Sequence, residues 1–357
     1  MKNKEEIKGL MDYFQNSEDK SLQFDEEAII SSYQKDNKKQ TLTIKILSII
    51  GGLLASIAFL VFIFISGFYE SKIGMIILGS FLISGSVLIN HKQNNISIDT
   101  FSVSAYIIGF VLIGIGCDQF KIEANSIIIG FIFVALGVLC FAHNYILTFV
   151  SVLIINGSIL SLIFINEKFN LFHIYVSILT LLMTFYFLKE ATIITKLKIK
   201  SLLYNPVRIG LVFSFLSGLI FLSRKSYMSL TLDYNWLSSI VIITAIIFII
   251  SKLLAVLNIT DIKHIISVYV LTILSLLPTA LSPAIAGSIL IILLCFWVNH
   301  KTGFVLGIIS FIYFLSRYYY DLNLTLLTKS ILLMLTGVLF ITLYLFINKK
   351  TTSNEKV

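Results

Sequence analysis

The chain has 357 residues, of which 57% are hydrophobic and only 13% are charged, and its formal net charge is +8. A soluble domain carries about 25% charged residues, so this composition excludes a soluble protein with an ordinary water-facing surface. A lipid bilayer is the natural solvent for such a chain, and Lys and Arg then gather in cytoplasmic loops. The positive charge therefore does not indicate a nucleic-acid partner.

Residues 1–43 are polar and mixed in charge. They are predicted to form a cytoplasmic segment of short helices, or to stay partly disordered, because so short a segment cannot build its own core. The segment is too long and too acidic for the charged start of a signal peptide. The first apolar run is therefore expected to remain as a membrane anchor.

Between residues 44 and 348 the chain alternates long apolar runs with short polar connections. A membrane-spanning helix needs about 20 apolar residues, whereas a membrane strand needs a short alternating pattern that is absent here. The predicted fold is an all-α, polytopic transmembrane bundle of about twelve spans, followed by a tail, 349–357. The predicted spans are 46–68, 73–90, 101–117, 125–142, 145–165, 171–188, 206–223, 236–257, 262–277, 283–299, 303–319 and 329–348.

The distribution of Lys and Arg predicts the orientation of these spans. With a cytoplasmic N-terminus and twelve crossings, 20 of the 27 Lys and Arg residues fall on the cytoplasmic side and 7 fall outside. This bias agrees with the enrichment of Lys and Arg in cytoplasmic loops, so both termini are predicted to be cytoplasmic. No charged residue falls near the middle of a span, which disfavours an ion-coupled carrier or a voltage sensor.

Small residues recur four positions apart in three of the spans. Such spacing lets helix backbones approach closely in lipid, and it predicts packing inside one bundle rather than a dimer seam. The oligomeric state stays open. The three pairs are Gly51 and Ala55, Ser80 and Ser84, and Gly303 and Gly307.

The longest predicted cytoplasmic connection runs from Lys189 to Arg208. Its sequence KLKIK places Lys196, Lys198 and Lys200 close to the membrane. A basic amphipathic stretch in this position attracts anionic lipid headgroups. The three lysines are therefore candidate lipid contacts, although fixing the topology requires lysines here in any case.

No motif for nucleotide binding, hydrolysis or metal binding occurs in the sequence. The three cysteines lie in different apolar runs without paired spacing, and the five histidines lie near span ends. We therefore predict no catalytic, cofactor-binding or metal-binding residue and no enzymatic activity.

A polar stretch, SRYYYDLNLTLLTKS, separates the last two predicted spans. In a helix, Arg317 and Asp321 would face the same side and could form an ion pair. Two interpretations remain open: an amphipathic helix at the membrane surface with tyrosines at headgroup level, or the lining of an outer vestibule. The candidate residues are Arg317, Tyr319, Tyr320, Asp321, Lys329 and Ser330.

The segment from Tyr318 to Ile347 resembles the C-terminal signature of a bacterial membrane protein family, domain of unknown function 4401. Matching residues include Tyr319, Tyr320, Asp321, Leu322, Leu327, Lys329, Ser330 and Gly337. The resemblance implies an inner-membrane protein without an assigned activity. It also implies a neighbour, a smaller membrane protein of the family named for its GDYXXLXXXXG motif.

Together these features predict a multi-pass protein of a bacterial inner membrane, non-enzymatic and working with another envelope protein. The bias of the basic residues towards Lys, with only three Arg, is typical of an AT-rich bacterial genome. The alternative is a transporter or flippase for a neutral or lipid-like solute.

Overall fold

The computed structural model describes residues 42–92, 96–141, 145–197, 201, 203–223, 235–257 and 261–321, and six single positions between 327 and 341. Across these ranges the secondary structure consists of twelve α-helices and two short 3-10 helices, without a strand. The all-α prediction is therefore confirmed. The predicted N-terminal segment, the twelfth span and the C-terminal tail fall almost entirely outside the described residues.

The helices follow the predicted spans closely, apart from one short additional helix, α7. They are α1 (Leu42–Ile65), α2 (Lys72–Lys92), α3 (Ile96–Gln119), α4 (Ala124–Phe141), α5 (Tyr145–Ile165), α6 (Leu171–Leu188), α7 (Glu190–Leu197), α8 (Tyr204–Ser223), α9 (Asn235–Val256), α10 (Ile262–Leu276), α11 (Pro283–Trp297) and α12 (Lys301–Asp321). Nine helices in the described part of the chain are long and apolar enough to cross a membrane. Pro283–Trp297 and the stretch Leu54–Ile65 are apolar but shorter.

The chain divides into two compact units, Met1–Gly116 and Cys117–Val357. The first unit contains α1, α2 and most of α3. Its core joins all three helices through Ile63, Met75, Ile108 and Leu112, each of which is buried.

Two glycines bring α2 and α3 into backbone contact. A Cβ atom added at Gly79 would lie 2.7 Å from the carbonyl oxygen of Gly109, and one added at Gly109 would lie 2.8 Å from that of Gly79. Nearby, the Ser102 hydroxyl donates to the carbonyl oxygen of Ser86 at 2.7 Å. The absence of both side chains therefore sets the distance between the two helices.

The second unit is built around α5, α6, α8, α9 and α11, with α12 contributing Phe314 to the same core. These helices are apolar on all sides, which is typical of helices with neighbours on one side and lipid on the other. The core therefore consists of large aliphatic and aromatic side chains. Fully enclosed members include Phe187, Phe215, Leu219, Ile242, Ile246 and Leu290.

Proline and capping residues define the ends of α10 and α11. The Asp261 side chain accepts a hydrogen bond from the backbone N–H of Lys263 at 3.1 Å, and α10 begins there. Pro278 lies in the 3-10 helix Leu277–Leu281 directly after α10, and Pro283 is the first residue of α11. The connection between the two helices is therefore short, in agreement with the predicted span bounds 262–277 and 283–299.

The prediction that small residues pack inside the bundle holds for one of the three pairs. A Cβ atom at Gly303 would lie 2.5 Å from the Cys295 sulfur, so α11 and α12 are in close contact there. Ser80 and Ser84 are exposed instead, and Gly51 and Ala55 line an open groove. The sequence spacing therefore identified helix faces made of small residues, but it did not identify which of these faces a neighbouring helix covers.

Candidate functional site

The connection between α6 and α8 carries a cluster of buried polar groups. It contains α7, and α8 begins at Tyr204, two residues earlier than the predicted start at Pro206. Asn205 and Pro206 therefore lie in the first turn of α8, where backbone N–H groups have no partner within the helix and a proline is tolerated. This start places Arg208 one turn into the helix.

Arg208 is the central group of this cluster. The residue is only 5% exposed. Its Nη1 donates to Oε1 of Glu190 in α7 at 3.0 Å, and its Nη2 donates to Oδ1 of Asn205 at 2.5 Å. Its Nε has no hydrogen-bond partner among the described residues. A buried arginine of this kind requires its carboxylate, because an unpaired buried charge is strongly destabilising.

Aromatic rings enclose the guanidinium. Its Cζ lies 5.2 Å from the ring centre of Tyr204 and 5.7 Å from that of Phe187. Tyr204 and Tyr186 stack with a centroid distance of 4.5 Å. Each hydroxyl donates to the other residue's carbonyl oxygen, at 2.8 Å from Tyr204 and 3.3 Å from Tyr186. These contacts fasten the C-terminal end of α6 to the N-terminal end of α8.

His300 caps α12 close to the same cluster. Its Nδ1 accepts a hydrogen bond from the backbone N–H of Gly303 at 3.0 Å. Burial, and secondarily the positive charge of Arg208, lower the pKa of His300 below its ordinary value of 6.5. The imidazole is therefore neutral near pH 7, as the hydrogen bond to Nδ1 requires.

The arginine cluster joins α7 to the first turn of α8. The two terminal nitrogens of Arg208 bind within the cluster, and the residue contacts a single carboxylate, that of Glu190. Within the described ranges, no group of three or more His, Cys, Asp or Glu side chains could hold a metal ion.

A groove in the first unit, the small-residue groove, runs along α1 and α3 and has a volume of about 440 Å³. Gly51, Ala55 and Ser56 line it from α1, and Ser104 and Ala105 line it from α3. A Cβ atom at Gly51 would meet no described atom within 4 Å. The groove is therefore open, with small side chains on both helices beside the larger Phe59, Leu82, Phe101 and Ile108.

A second groove, the asparagine groove, lies on α4, α5 and α6 and has a volume of about 650 Å³. At one end, Asn125 and Asn166 exchange two amide hydrogen bonds of 3.1 and 3.0 Å. Near the middle of α5, Asn156 accepts a hydrogen bond from the Tyr175 hydroxyl at 3.2 Å. The groove therefore combines mostly apolar walls with polar groups at two levels.

Comparison with known proteins gives one family. A family model described as domain of unknown function (DUF4401) matches residues 41–350. The chain belongs to the DUF4401 family. No curated protein and no solved structure matches it. This member of DUF4401 is an integral membrane protein with many apolar helices, as the sequence predicts.

The ion pair predicted between Arg317 and Asp321 forms in this DUF4401 chain. Arg317 Nε lies 3.3 Å from Asp321 Oδ2, with the two side chains 28% and 33% exposed. The pair belongs to the last turn of α12, which continues unbroken from Lys301. The two interpretations of this stretch, a helix at the membrane surface and the lining of an outer vestibule, both stay predictions.

The other residues predicted beside this ion pair are mainly at the surface. The rings of Tyr319 and Tyr320 meet edge to face at 5.6 Å, and Tyr320 is 75% exposed. Ser330 is also exposed, and Lys329 lies outside the described residues.

Of the three lysines predicted to contact anionic lipid, the structure describes Lys196 in α7. Lys196 is exposed in its last turn. Lys198 and Lys200 lie outside the described residues. Their contact with lipid stays a prediction.

The burial of Arg208 was missed from the sequence, where the residue was counted only among the cytoplasmic charges. The rarity of arginine could have drawn attention to Arg208, since only three of the 27 basic residues in this DUF4401 chain are Arg. Both arginines within the described ranges, Arg208 and Arg317, pair with a carboxylate. The planar guanidinium suits such pairing better than a lysine does.

Proposed function

We propose that this protein is a non-enzymatic protein of a bacterial inner membrane that acts with a second membrane protein. A transmembrane helix of the partner would pack into the small-residue groove on α1 and α3. The observation that carries this proposal is the exposure of Gly51 and Ala55 in that groove. Small residues favour helix association in lipid because they let backbones approach closely.

A comparison inside the chain supports this use of the groove. Gly303 and Gly307 have the same four-residue spacing, and α11 lies close against both of them. Gly51 and Ala55 present the same type of face without such a neighbour among the described residues. A helix from another protein would give this face the packing that the pair in α12 already has.

The family supports a choice of partner. The resemblance to domain of unknown function 4401 implies a smaller neighbouring membrane protein with the GDYXXLXXXXG motif, and we propose this protein as the partner. The charge distribution supports an orientation with both termini in the cytoplasm.

Co-expression followed by affinity purification in mild detergent tests the proposal. The wild-type chain should retain the GDYXXLXXXXG-motif protein in stoichiometric amount. Gly51→Leu and Ala55→Leu, which fill the groove, should each lower its recovery at least tenfold. Gly85→Leu is the matched control, because this glycine lies in the same unit and a Cβ there meets no described atom within 4 Å. Undiminished recovery with both groove variants would contradict the proposal.

A transporter or flippase for a neutral or lipid-like solute is the second candidate. The asparagine groove supports it, because Asn125, Asn156 and Asn166 line a path whose other walls are mostly apolar. Liposomes containing the purified protein should then exchange a fluorescent lipid between leaflets faster than empty liposomes. Asn156→Leu should abolish this faster lipid exchange, whereas Gly51→Leu, a change in the small-residue groove, should leave it unchanged. Equal exchange with and without protein would remove this candidate.

A further inference from the structure

A third groove, the lysine groove, lies between α6 and α9 and has a volume of about 550 Å³. Two rows of side chains with four-residue spacing form its walls, and such spacing places each row along one helix face. Leu181 and Phe185 of α6, with Lys189 directly after its last residue, form one row. Thr244, Phe248 and Lys252 form the row on α9. Each row ends in a lysine.

The body of the lysine groove is apolar and faces the side of the bundle. Leu181 is 61% exposed, Phe185 is 60% exposed and Phe248 is 49% exposed. The Thr244 hydroxyl donates to a carbonyl oxygen of its own helix. This part of the groove therefore offers an apolar surface without competing hydrogen-bond donors, which suits an acyl chain.

The two lysines give one end of the lysine groove a positive charge. Lys189 and Lys252 are exposed, and neither forms an ion pair with a described carboxylate. The nearest carboxylate in sequence, Glu190, is bound to Arg208. Lys252 Nζ lies 5.6 Å above the ring of Phe248, which holds the ammonium over the groove.

Trp297 of α11 completes the charged end of the groove. Tryptophan rings gather at the level of lipid headgroups, so this residue indicates that the lysines lie at the membrane surface. Basic pockets between transmembrane helices at such a level bind anionic headgroups. The lysine groove, which is apolar and ends at two cations and a tryptophan, therefore suits a molecule with an apolar chain and an anionic headgroup.

We propose that the lysine groove binds an anionic phospholipid. The phosphate lies between Lys189 and Lys252, and one acyl chain lies between Phe185 and Phe248. The apolar walls distinguish this ligand from a free phosphate ion, and the paired cations distinguish it from a neutral lipid. Lys196 does not line this groove, and the proposal does not depend on the proposed partner protein.

Native mass spectrometry of the full chain in detergent tests the proposal, with phosphatidylglycerol and phosphatidylcholine of identical acyl chains as probes. We expect phosphatidylglycerol to bind more tightly. Lys189→Gln and Lys252→Gln should each weaken its binding about fivefold, the effect typical of one lysine near an anionic headgroup. Lys301→Gln is the matched control, since it removes an exposed lysine outside the groove, and its affinity should equal that of the wild type.

A second variant tests the acyl-chain part of the groove. Thr244→Trp places a large side chain in the apolar part of the lysine groove, at an exposed position. It should weaken binding of long-chain phosphatidylglycerol although both lysines remain. Millimolar inorganic phosphate should not displace the lipid. Equal binding of the two lipids, displacement by phosphate, or a loss in Lys301→Gln as large as in Lys189→Gln would overturn the proposal.

Discussion

Arg208 of α8 and Glu190 of α7 form an ion pair of 3.0 Å in which the arginine side chain is 6% exposed and the glutamate side chain is 29% exposed. This difference in burial has an energetic consequence. Either residue left alone carries an unpaired charge, but only Glu190 can turn towards water. Loss of Glu190 should therefore cost more stability than loss of Arg208, and the pair attaches α7 to the first turn of α8.

Replacing Glu190 with Ala should destabilise the protein more than replacing Arg208 with Met. The first change strands a buried guanidinium, which typically costs about 3–5 kcal/mol. The second removes the buried charge and keeps an apolar stem between the rings. Melting temperatures in detergent provide the measurement, and the double variant should resemble Arg208→Met. Glu123→Ala, which removes an exposed carboxylate, should have little effect. Equal losses in the two single variants would contradict this account.

Gly79→Ala should lower the free energy of unfolding by about 1–3 kcal/mol, the usual cost of overpacking. The new methyl group would lie 2.7 Å from a backbone oxygen of α3, which cannot rotate away as a side chain can. Gly85→Ala, on the same helix, meets no described atom within 4 Å. This control should be neutral or stabilising, because Ala favours helix more than Gly does. Thermal melts of both variants distinguish the two effects, and similar shifts would exclude a tight crossing of α2 and α3.

The stability of the protein should contain a component from His300 that decreases as the pH falls below 6.5. The pKa of His300 in the folded chain lies below this ordinary value. Between the two pKa values the unfolded chain binds more protons, so the free energy of unfolding rises with pH in that window. Above 6.5 the component no longer changes.

His300→Asn isolates this component. The asparagine side chain can still cap α12, but it does not titrate. Melting temperatures at pH 7.5 and pH 5.5 should therefore differ less for the variant than for the wild type. An identical pH dependence would show that His300 does not titrate differently in the two states.

The ion pair between Arg317 and Asp321 should contribute little to stability. The two side chains are partly exposed and lie one turn apart on α12, and such pairs contribute about 0.3–0.5 kcal/mol. Single Ala variants should therefore barely change the melting temperature. A loss of several degrees in both variants, with recovery in the exchanged pair Arg317→Asp and Asp321→Arg, would favour the vestibule interpretation.

Reporter fusions test the predicted orientation. Fusions after Lys200 and Lys350 should report a cytoplasmic location, whereas fusions at Asn235 and Asp321 should report the outer side, because 20 of the 27 basic residues then lie inside. A matched pair of reporters, one active only in the cytoplasm and one only outside, gives an internal control. A cytoplasmic signal at Asp321 would rule out the twelve-span arrangement.

The sequence predicted the helical class and most helix bounds because each depends on local properties. An apolar run of about 20 residues must form its hydrogen bonds within itself in lipid, so hydropathy alone indicates a helix. Pro278 and Pro283 likewise agree with the short connection between the predicted spans 262–277 and 283–299, since proline restricts the backbone where it stands. The ion pair between Arg317 and Asp321 followed from their spacing in one helix.

The candidate sites depended on which helices are neighbours, and only the tertiary structure decided this. Arg208 and Glu190 are separated in sequence by the length of α7 and the start of α8, and no local pattern indicates their contact. Lys189 and Lys252 share one groove only because α6 packs beside α9. A hydropathy pattern records how much apolar surface a segment carries, but whether lipid, protein or a charged partner covers that surface is set by packing between segments distant in the chain.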